Sequence, residues 1–451
     1  MFSSRLPKDI SPSPFFAELE RVKACAKKEA AEGGLPFIDM TVSSPVKVGL
    51  PIDLNAAVDE GRESFGCWNP DAAGWKSARE AVVEYYRERG GNFTAGQIIL
   101  TASTSEAYSV LFKTFCDPGD VILTPMPGYP LLDTLAQLEH LECAPYFLQL
   151  RRENARKLAT DERREGAAFR FVLDTDSLLA APERAKILLL VSPHNPTGHC
   201  ISREEWNAAV RFCEENGMVL VVDEVFGDYA FSDKVKRTWE YVFGLCPPEP
   251  SLSQSSPSKS FSAEGRKSIH CRFNDFWDAG GGDFINLPED GPKCPIFWLN
   301  GLSKAVGSPQ LKFGWMAFYA PRERFEEIRA ALEFVEDAYL SVSAPAQALG
   351  SALLKQSAAY ESRVKERLLQ NWQTLREAFP SKYCPEVLGG WYAVVRLGED
   401  DEDLTLRLLR EKHVLVQPGF FFDFDEDGWV VISLLQEPAL FKEAVRRMAD
   451  R

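Results

Sequence analysis

The sequence predicts an α/β protein: a large domain with a mostly parallel sheet covered by helices, and a smaller α+β domain. Between Gln97 and Phe318, short β-rich runs alternate with helical ones, the pattern of parallel strands joined by helices. After Pro321 the pattern changes to a long helical stretch followed by strands and further helices. A chain of 451 residues with 45% hydrophobic content is long enough to bury a large core and to divide into two unequal domains.

The first fifty residues, helical from Pro14 to Glu32, precede the main sheet and are expected to form an arm that joins the smaller domain or a subunit interface. In the large domain the runs Ile98 to Leu100, Val121 to Leu123, Ile187 to Val191, Met218 to Val222, Ile296 to Leu299 and Trp315 to Phe318 read as strands. Between Ser202 and Asn216 lies a helix. Ser202 and Glu205 form its capping box, Trp206, Ala209, Val210 and Cys213 its apolar face, and Gly217 its stop. The helical stretch after Pro321 runs to about Phe379, and strands follow at Tyr392 to Leu397, Val414 to Gln417 and Val430 to Leu434. The expected division is therefore an arm over 1–50, a large domain over 51–320 and a small domain over 321–451. The Arg/Glu-rich 151–168 and the Ser/Gly-rich 247–293 are read as loop insertions.

Fifty-one basic against 66 acidic residues give a net charge of -15, which argues against nucleic-acid or anionic-membrane partners. No signal-length or membrane-length apolar run is present, so a cytoplasmic protein is expected. Ten cysteines without a Cys-x-x-Cys pair argue against a zinc site or a disulfide framework, and no metal is expected.

Four motifs carry chemistry: Thr101-Ala102-Ser103-Thr104-Ser105-Glu106, Ser192-Pro193-His194-Asn195-Pro196-Thr197-Gly198, Asp223-Glu224-Val225-Phe226, and Asn300-Gly301-Leu302-Ser303-Lys304. Asp223 ends an apolar run, which places it at the carboxyl edge of a buried strand, where α/β sheets bind ligands. Ser103 and Glu106 have capping-box spacing, and a helix N-terminus lined with hydroxyls suits a phosphate because free N–H groups and the dipole both favour an anion. Asn195 to Gly198 is, by itself, a turn signal. Taken in this order, the motifs make the chain resemble the class I/II aminotransferases, fold type I enzymes dependent on pyridoxal 5'-phosphate (PLP), over roughly residues 35 to 450.

The resemblance implies an aspartate aminotransferase-like fold and a role for each residue. Lys304, with Ser303 beside it, would form the Schiff base, and Asp223 would pair with the protonated pyridine nitrogen. Asn195 would donate to the 3-oxygen; Ser103, Thr104 and Ser105 would hold the phosphate; Tyr129 would lie against the ring. Trp68 stands where the family has a tyrosine reaching the partner subunit's phosphate, and an indole can donate there but cannot accept or ionise. Trp391 and Tyr392, after Gly389-Gly390, would form an aromatic pocket wall.

The chain also departs from the family. Lys312 replaces the phosphate-binding arginine, a point charge for a bidentate fork. Phe226 replaces the tyrosine that donates to the 3-oxygen, leaving Asn195 unless Tyr229 reaches in, and Gly301 replaces a phosphate-touching serine. Val431 stands where the arginine that clamps the substrate carboxylate is expected. Arg396, Lys47 and Lys312 are the other cations considered, and Asp423 and Asp425 would suit a cationic substrate.

The implied protein is a homodimeric aminotransferase that moves an amino group from an amino acid or related amine donor to a keto-acid acceptor. The same site would serve a β-eliminating carbon-sulfur lyase or a decarboxylase. A non-catalytic PLP-binding regulator of this family would carry a fused DNA-binding region, and the segment before the main sheet is expected to hold none.

Overall fold

The computed structural model describes residues 3–6, 13–154, 167–244, 287–288, 291–398 and 400–450. The arm comprises α1 (Pro14–Ala31), capped by the Ser13 hydroxyl, and β1 (Ile38–Asp39). α2 (Leu54–Gly61) and α3 (Lys76–Arg87) lead into the main sheet. Its strands are β2 (Ile98–Thr101), β3 (Val121–Met126), β4 (Glu142–Asn154), β5 (Ala167–Leu173), β6 (Ala185–Val191), β7 (Val219–Asp223), β8 (Ile296–Gly301) and β9 (Gly314–Tyr319). Between them lie α4 (Thr104–Phe115), α5 (Leu131–Leu138), α6 (Arg203–Asn216), α7 (Glu240–Phe243) and α8 (Leu302–Ala305).

The strand order is β2-β9-β8-β7-β6-β3-β4-β5. Parallel pairing runs from β8 through β7, β6 and β3 to β4, while β9 is antiparallel to β2 and β8, and β5 to β4. The central strands are unbroken apolar runs because both faces are covered. Leu188, Leu190, Leu220 and Val222 point into one core, and Ile187, Leu189 and Val221 into the other. The capping box of α6 forms as expected, and Gly217 ends the helix at φ 63°.

The second unit holds α9 (Phe325–Asp337), α10 (Ala344–Leu354), α11 (Ser357–Ala378), β10 (Tyr392–Arg396), α12 (Asp401–Lys412), β11 (Val414–Leu415), β12 (Gln417–Pro418), β13 (Trp429–Ser433) and α13 (Pro438–Ala449). β13 is paired antiparallel between β10 and β12. The arm packs on the smaller unit: β1 pairs with β11, and Phe15, Leu19 and Val22 of α1 pack with Leu409 and Leu415.

The reading of 151–168 as a loop is corrected at its ends. β4 continues to Asn154 and pairs with β5 from Ala167 in an antiparallel ribbon. Tyr146 and Leu148 are buried while Arg151 is exposed, and Arg170 bonds Glu153 at 2.8 Å. The charges that suggested a loop decorate a strand pair with an open face. Residues 155–166, and 247–286 of the second expected insertion, lie outside the described residues.

Candidate active site

The carboxyl ends of β6, β7 and β8 open on a cavity of about 880 Å³, whose far wall is built by Tyr392, Gln417 and the Phe420–Phe422 turn. Val191, Asp223 and Gly301, the last residues of those three strands, all line it. A parallel sheet creates such a crevice because its strands all end on one side.

Lys304 sits on the one-turn helix α8 directly after β8. Its Nζ lies 4.7 Å from the Trp391 ring centroid and 5.3 Å from that of Phe226, and its carbonyl accepts the Tyr229 hydroxyl at 2.6 Å. Burial pulls the amine down to about 8, opposed by the Asp223 carboxylate. Asp223 is half-buried at the cavity wall: its partial burial raises the carboxyl, while bonds from the Tyr108 hydroxyl (2.6 Å) and the Val225 N–H (3.0 Å), with the charge on Lys304, favour the carboxylate. A carboxylate held in this way is suited to a cation in the cavity.

At the other end α4 begins with Ser103 as its cap, the Ser103 hydroxyl accepting from the Glu106 N–H at 3.2 Å. Glu106 does not complete the expected capping box; it accepts from the Ala102 N–H and the Ser341 hydroxyl instead. Thr104, Ser105, Ser303 and Lys312 line the cavity here. Lys312 has φ 52°, set by the tight turn Pro309–Leu311. Gly301 and Gly314 face each other across β8 and β9. A Cβ on Gly301 would meet Gly314 Cα at 3.0 Å, and one on Gly314 would lie 3.1 Å from the Ser103 backbone. Close approach of the β9 backbone to Gly301 therefore accounts for the glycine that stands in place of a serine.

Asn195 lines the cavity, and its buried Oδ1 has no hydrogen-bond partner among the described residues. Tyr129, Phe226 and Tyr392 line it as well. Other expected residues lie elsewhere. Trp68 is 81% exposed, in a separate shallow pocket beside Trp75 and Glu336. Trp391 is fully buried beneath Lys304, and Val431 is fully buried opposite Val394 and Gln417. Tyr229 is not available to a ligand, since its hydroxyl is committed to the Lys304 carbonyl. Arg396 pairs with Glu426 and stacks 5.7 Å from Trp429. Lys47 and Asp425 are exposed and away from the cavity, whereas Asp423 is at its wall.

Sequence reasoning missed Tyr108, Asp133 and Phe16. Tyr108 was legible in principle, because it lies four residues after Thr104 and so on the same face of α4. Phe16 comes from the arm and stacks on Phe421 at 5.0 Å, a contact no local pattern announces. Among the described residues lining the cavity, the cations are Lys304 and Lys312, and the carboxylates are Asp133, Asp223 and Asp423.

A half-buried amine and a half-buried carboxylate in one cavity, with an anion-suited helix terminus close by, fit a phosphorylated aldehyde that also carries a protonatable ring nitrogen. PLP has those three features, and fold and site together define a fold type I PLP enzyme. The family model for aminotransferase class I and II matches residues 60–268 and 273–448, and the chain belongs to that family. It is a PLP-dependent transferase. It is 22% identical over 436 residues to the glutamate-pyruvate aminotransferase AlaA of Haemophilus influenzae, covering 93% of this chain and 91% of that one. The tyrosine aminotransferase of Caenorhabditis elegans is 20% identical over 387 residues, covering 84% and 69%. Among solved structures, alanine aminotransferase from Pyrococcus furiosus superposes with a TM-score of 0.71 at 19% identity, covering 98% of this chain and 99% of that one. A Thermus thermophilus aspartate aminotransferase double mutant gives 0.71 at 20% identity, covering 100% and 99%.

Proposed function

We propose that Lys304 binds PLP covalently and that the enzyme is a cytoplasmic homodimer passing an amino group from an amino acid or related amine to a keto acid. The observation that carries this reading is the half-buried Lys304 amine, set against the Trp391 and Phe226 rings in one cavity with Asp223. When bound, the cofactor supplies an electron sink for the bond broken at the substrate. Asp223, supported by Tyr108, would hold positive charge on the ring nitrogen. Ser103, Thr104, Ser105, Ser303 and Lys312 would hold the phosphate, Asn195 would donate to the 3-oxygen, and Tyr129 and Phe226 would lie against the ring. The Lys304 amine holds and moves the proton at the substrate α-carbon. Trp68, 81% exposed, would reach the phosphate site of a second copy of the chain. The test is amino-group transfer from donor to keto acid by the purified enzyme. Ammonia and a keto acid released without an acceptor, or carbon dioxide release, would replace this reading with a lyase or a decarboxylase.

Phe226 gives a first prediction. Its ring edge offers no hydroxyl to the 3-oxygen, so Phe226→Tyr adds a hydrogen-bond donor to an anionic oxygen. Such a bond favours the deprotonated form of the bound cofactor and is expected to lower the pH midpoint of its visible absorption change by about one unit. An unmoved midpoint would mean that another donor already serves that oxygen.

Val431 gives a second. The position offers no cation, and the two lysines lining the cavity are assigned to the cofactor, so an α-carboxylate on the donor gains no arginine fork. Such a fork would contribute about 2–5 kcal/mol. Alanine, glutamate and aromatic amino acids are expected to exceed their decarboxylated analogues by less than roughly tenfold in half-reaction kcat/KM. A preference of a thousandfold would show that a carboxylate clamp exists elsewhere.

A further inference from the structure

Behind the cavity, the turn that carries Lys304 is gripped from both sides by a buried polar network that the proposed function does not use. Asp228 is buried in the short turn after β7 and meets Arg89 at 2.9 Å, with Arg237 on the same oxygen. Tyr85, 1% exposed on α3, places its hydroxyl 2.8 Å from both Asp228 carboxylate oxygens. The Asn300 amide nitrogen donates to that hydroxyl at 3.1 Å, and the Asn300 Oδ1 accepts from the Gly301 N–H at 2.7 Å. On the other side, Tyr229, next to Asp228 in the chain, donates to the Lys304 carbonyl.

The direction of each bond follows from charge. Burial would raise the Asp228 carboxyl, but Arg89 and Arg237 outweigh it and hold it at about 2. Burial, reinforced by that carboxylate, pushes the Tyr85 phenol well above its ordinary range, so it keeps its proton. A phenol has one hydrogen to give, and here Asp228 takes it. The Tyr85 oxygen can then only accept from Asn300, so the amide must present its NH2 to Tyr85 and its oxygen to Gly301. An amide is otherwise free to turn over and present the reverse.

We propose that Tyr85 is a positioning residue: through Asn300 it fixes the Gly301 end of the turn on which Lys304 sits, and so the place of the Lys304 amine in the cavity. This rests on Lys304 as the cofactor-binding residue. Small displacements at a reacting group are costly, so loss of the relay slows turnover without weakening substrate binding.

Tyr85→Phe removes one oxygen and keeps the ring. Tyr86→Phe is the control, because Tyr86 is equally buried but, among the described residues, its hydroxyl accepts from Trp315 alone, at 3.1 Å, on the neighbouring strand. In the PLP-loaded enzyme, Tyr85→Phe is expected to lower kcat roughly tenfold with KM nearly unchanged, and to move the pH midpoint of the bound cofactor's visible band. Tyr86→Phe is expected to do neither, though both variants lose one buried hydroxyl group. Asn300→Leu, with the same number and branching of heavy atoms, is expected to reproduce the Tyr85→Phe signature and carries the test if Tyr85→Phe does not fold. Wild-type kcat and midpoint in Tyr85→Phe, or equal changes in Tyr86→Phe, overturn the relay. Mapping the reduced cofactor in the wild type separates the two claims: label on another lysine overturns Lys304 and the relay together, whereas label on Lys304 with unmoved kinetics overturns the relay alone.

Discussion

Replacing Lys304 by alanine is expected to lower the amino-transfer half-reaction by at least roughly 10²–10⁴-fold while leaving the protein folded. The side chain makes no ion pair among the described residues and lies against Trp391 and Phe226, so its removal leaves Asp223 with its bonds from Tyr108 and Val225. Cofactor-free protein gives a pH test of the same group. The half-buried amine has its pKa depressed from 10.5 to about 8, so the neutral form that attaches to an aldehyde gains tenfold per pH unit below about 8 and levels off above it. Covalent loading is expected to follow that curve in the wild type and to be absent in Lys304→Ala. Stability also rises with pH, but in the window above that value. The unfolded chain binds more protons between about 8 and 10.5, so the penalty for burying the charged lysine is complete below about 8 and is relieved as pH rises through that window. Cofactor-free Lys304→Ala is therefore expected to resist urea at neutral pH at least as well as the wild type. A lower urea midpoint would show that the lysine supports the fold.

Asp223→Asn is expected to cost roughly 10²–10³-fold in the half-reaction. The amide keeps the shape of the carboxylate and can still accept from the Val225 N–H, but it carries no charge to hold a proton on a ring nitrogen. Tyr108→Phe removes one of the bonds that favour the ionised carboxyl and is expected to act in the same direction with a smaller effect, because Val225 still holds the other oxygen. The check is single-turnover kinetics with saturating donor, with cofactor content measured on the same samples. An Asp223→Asn enzyme that stays loaded and reacts at the wild-type rate would remove Asp223 from the chemistry.

The parts of the fold that were legible in the sequence are those where one physical requirement dominates. The strands around Leu188 and Leu220 must be apolar on both faces, so they stand out as continuous runs, and α6 is marked by its cap, its apolar face and its terminal glycine. The ribbon β4–β5 was not legible past Leu150, because its exposed positions carry the charges expected of a loop. In the site, Asp223 and Ser103 were placed by strand and helix ends, and their surroundings agree with that placement. Trp391 and Tyr392 are adjacent in sequence, yet one lies beneath Lys304 and the other lines the cavity, a division set by how the small sheet docks. Asp423 and Asp425 differ for the same kind of reason: the Phe420–Phe422 turn brings only the first to the cavity wall. Tyr229 and Asn300 have roles that depend on hydrogen-bond direction inside the core, which no spacing rule encodes.

The central claim is that Lys304 is the residue to which the cofactor is attached. The direct measurement is borohydride reduction of the PLP-loaded wild-type enzyme, followed by proteolysis and mass-spectrometric location of the modified lysine. The account predicts stoichiometric label on Lys304 alone; label on Lys312 or any other lysine, or no reducible attachment in fully loaded enzyme, would contradict it.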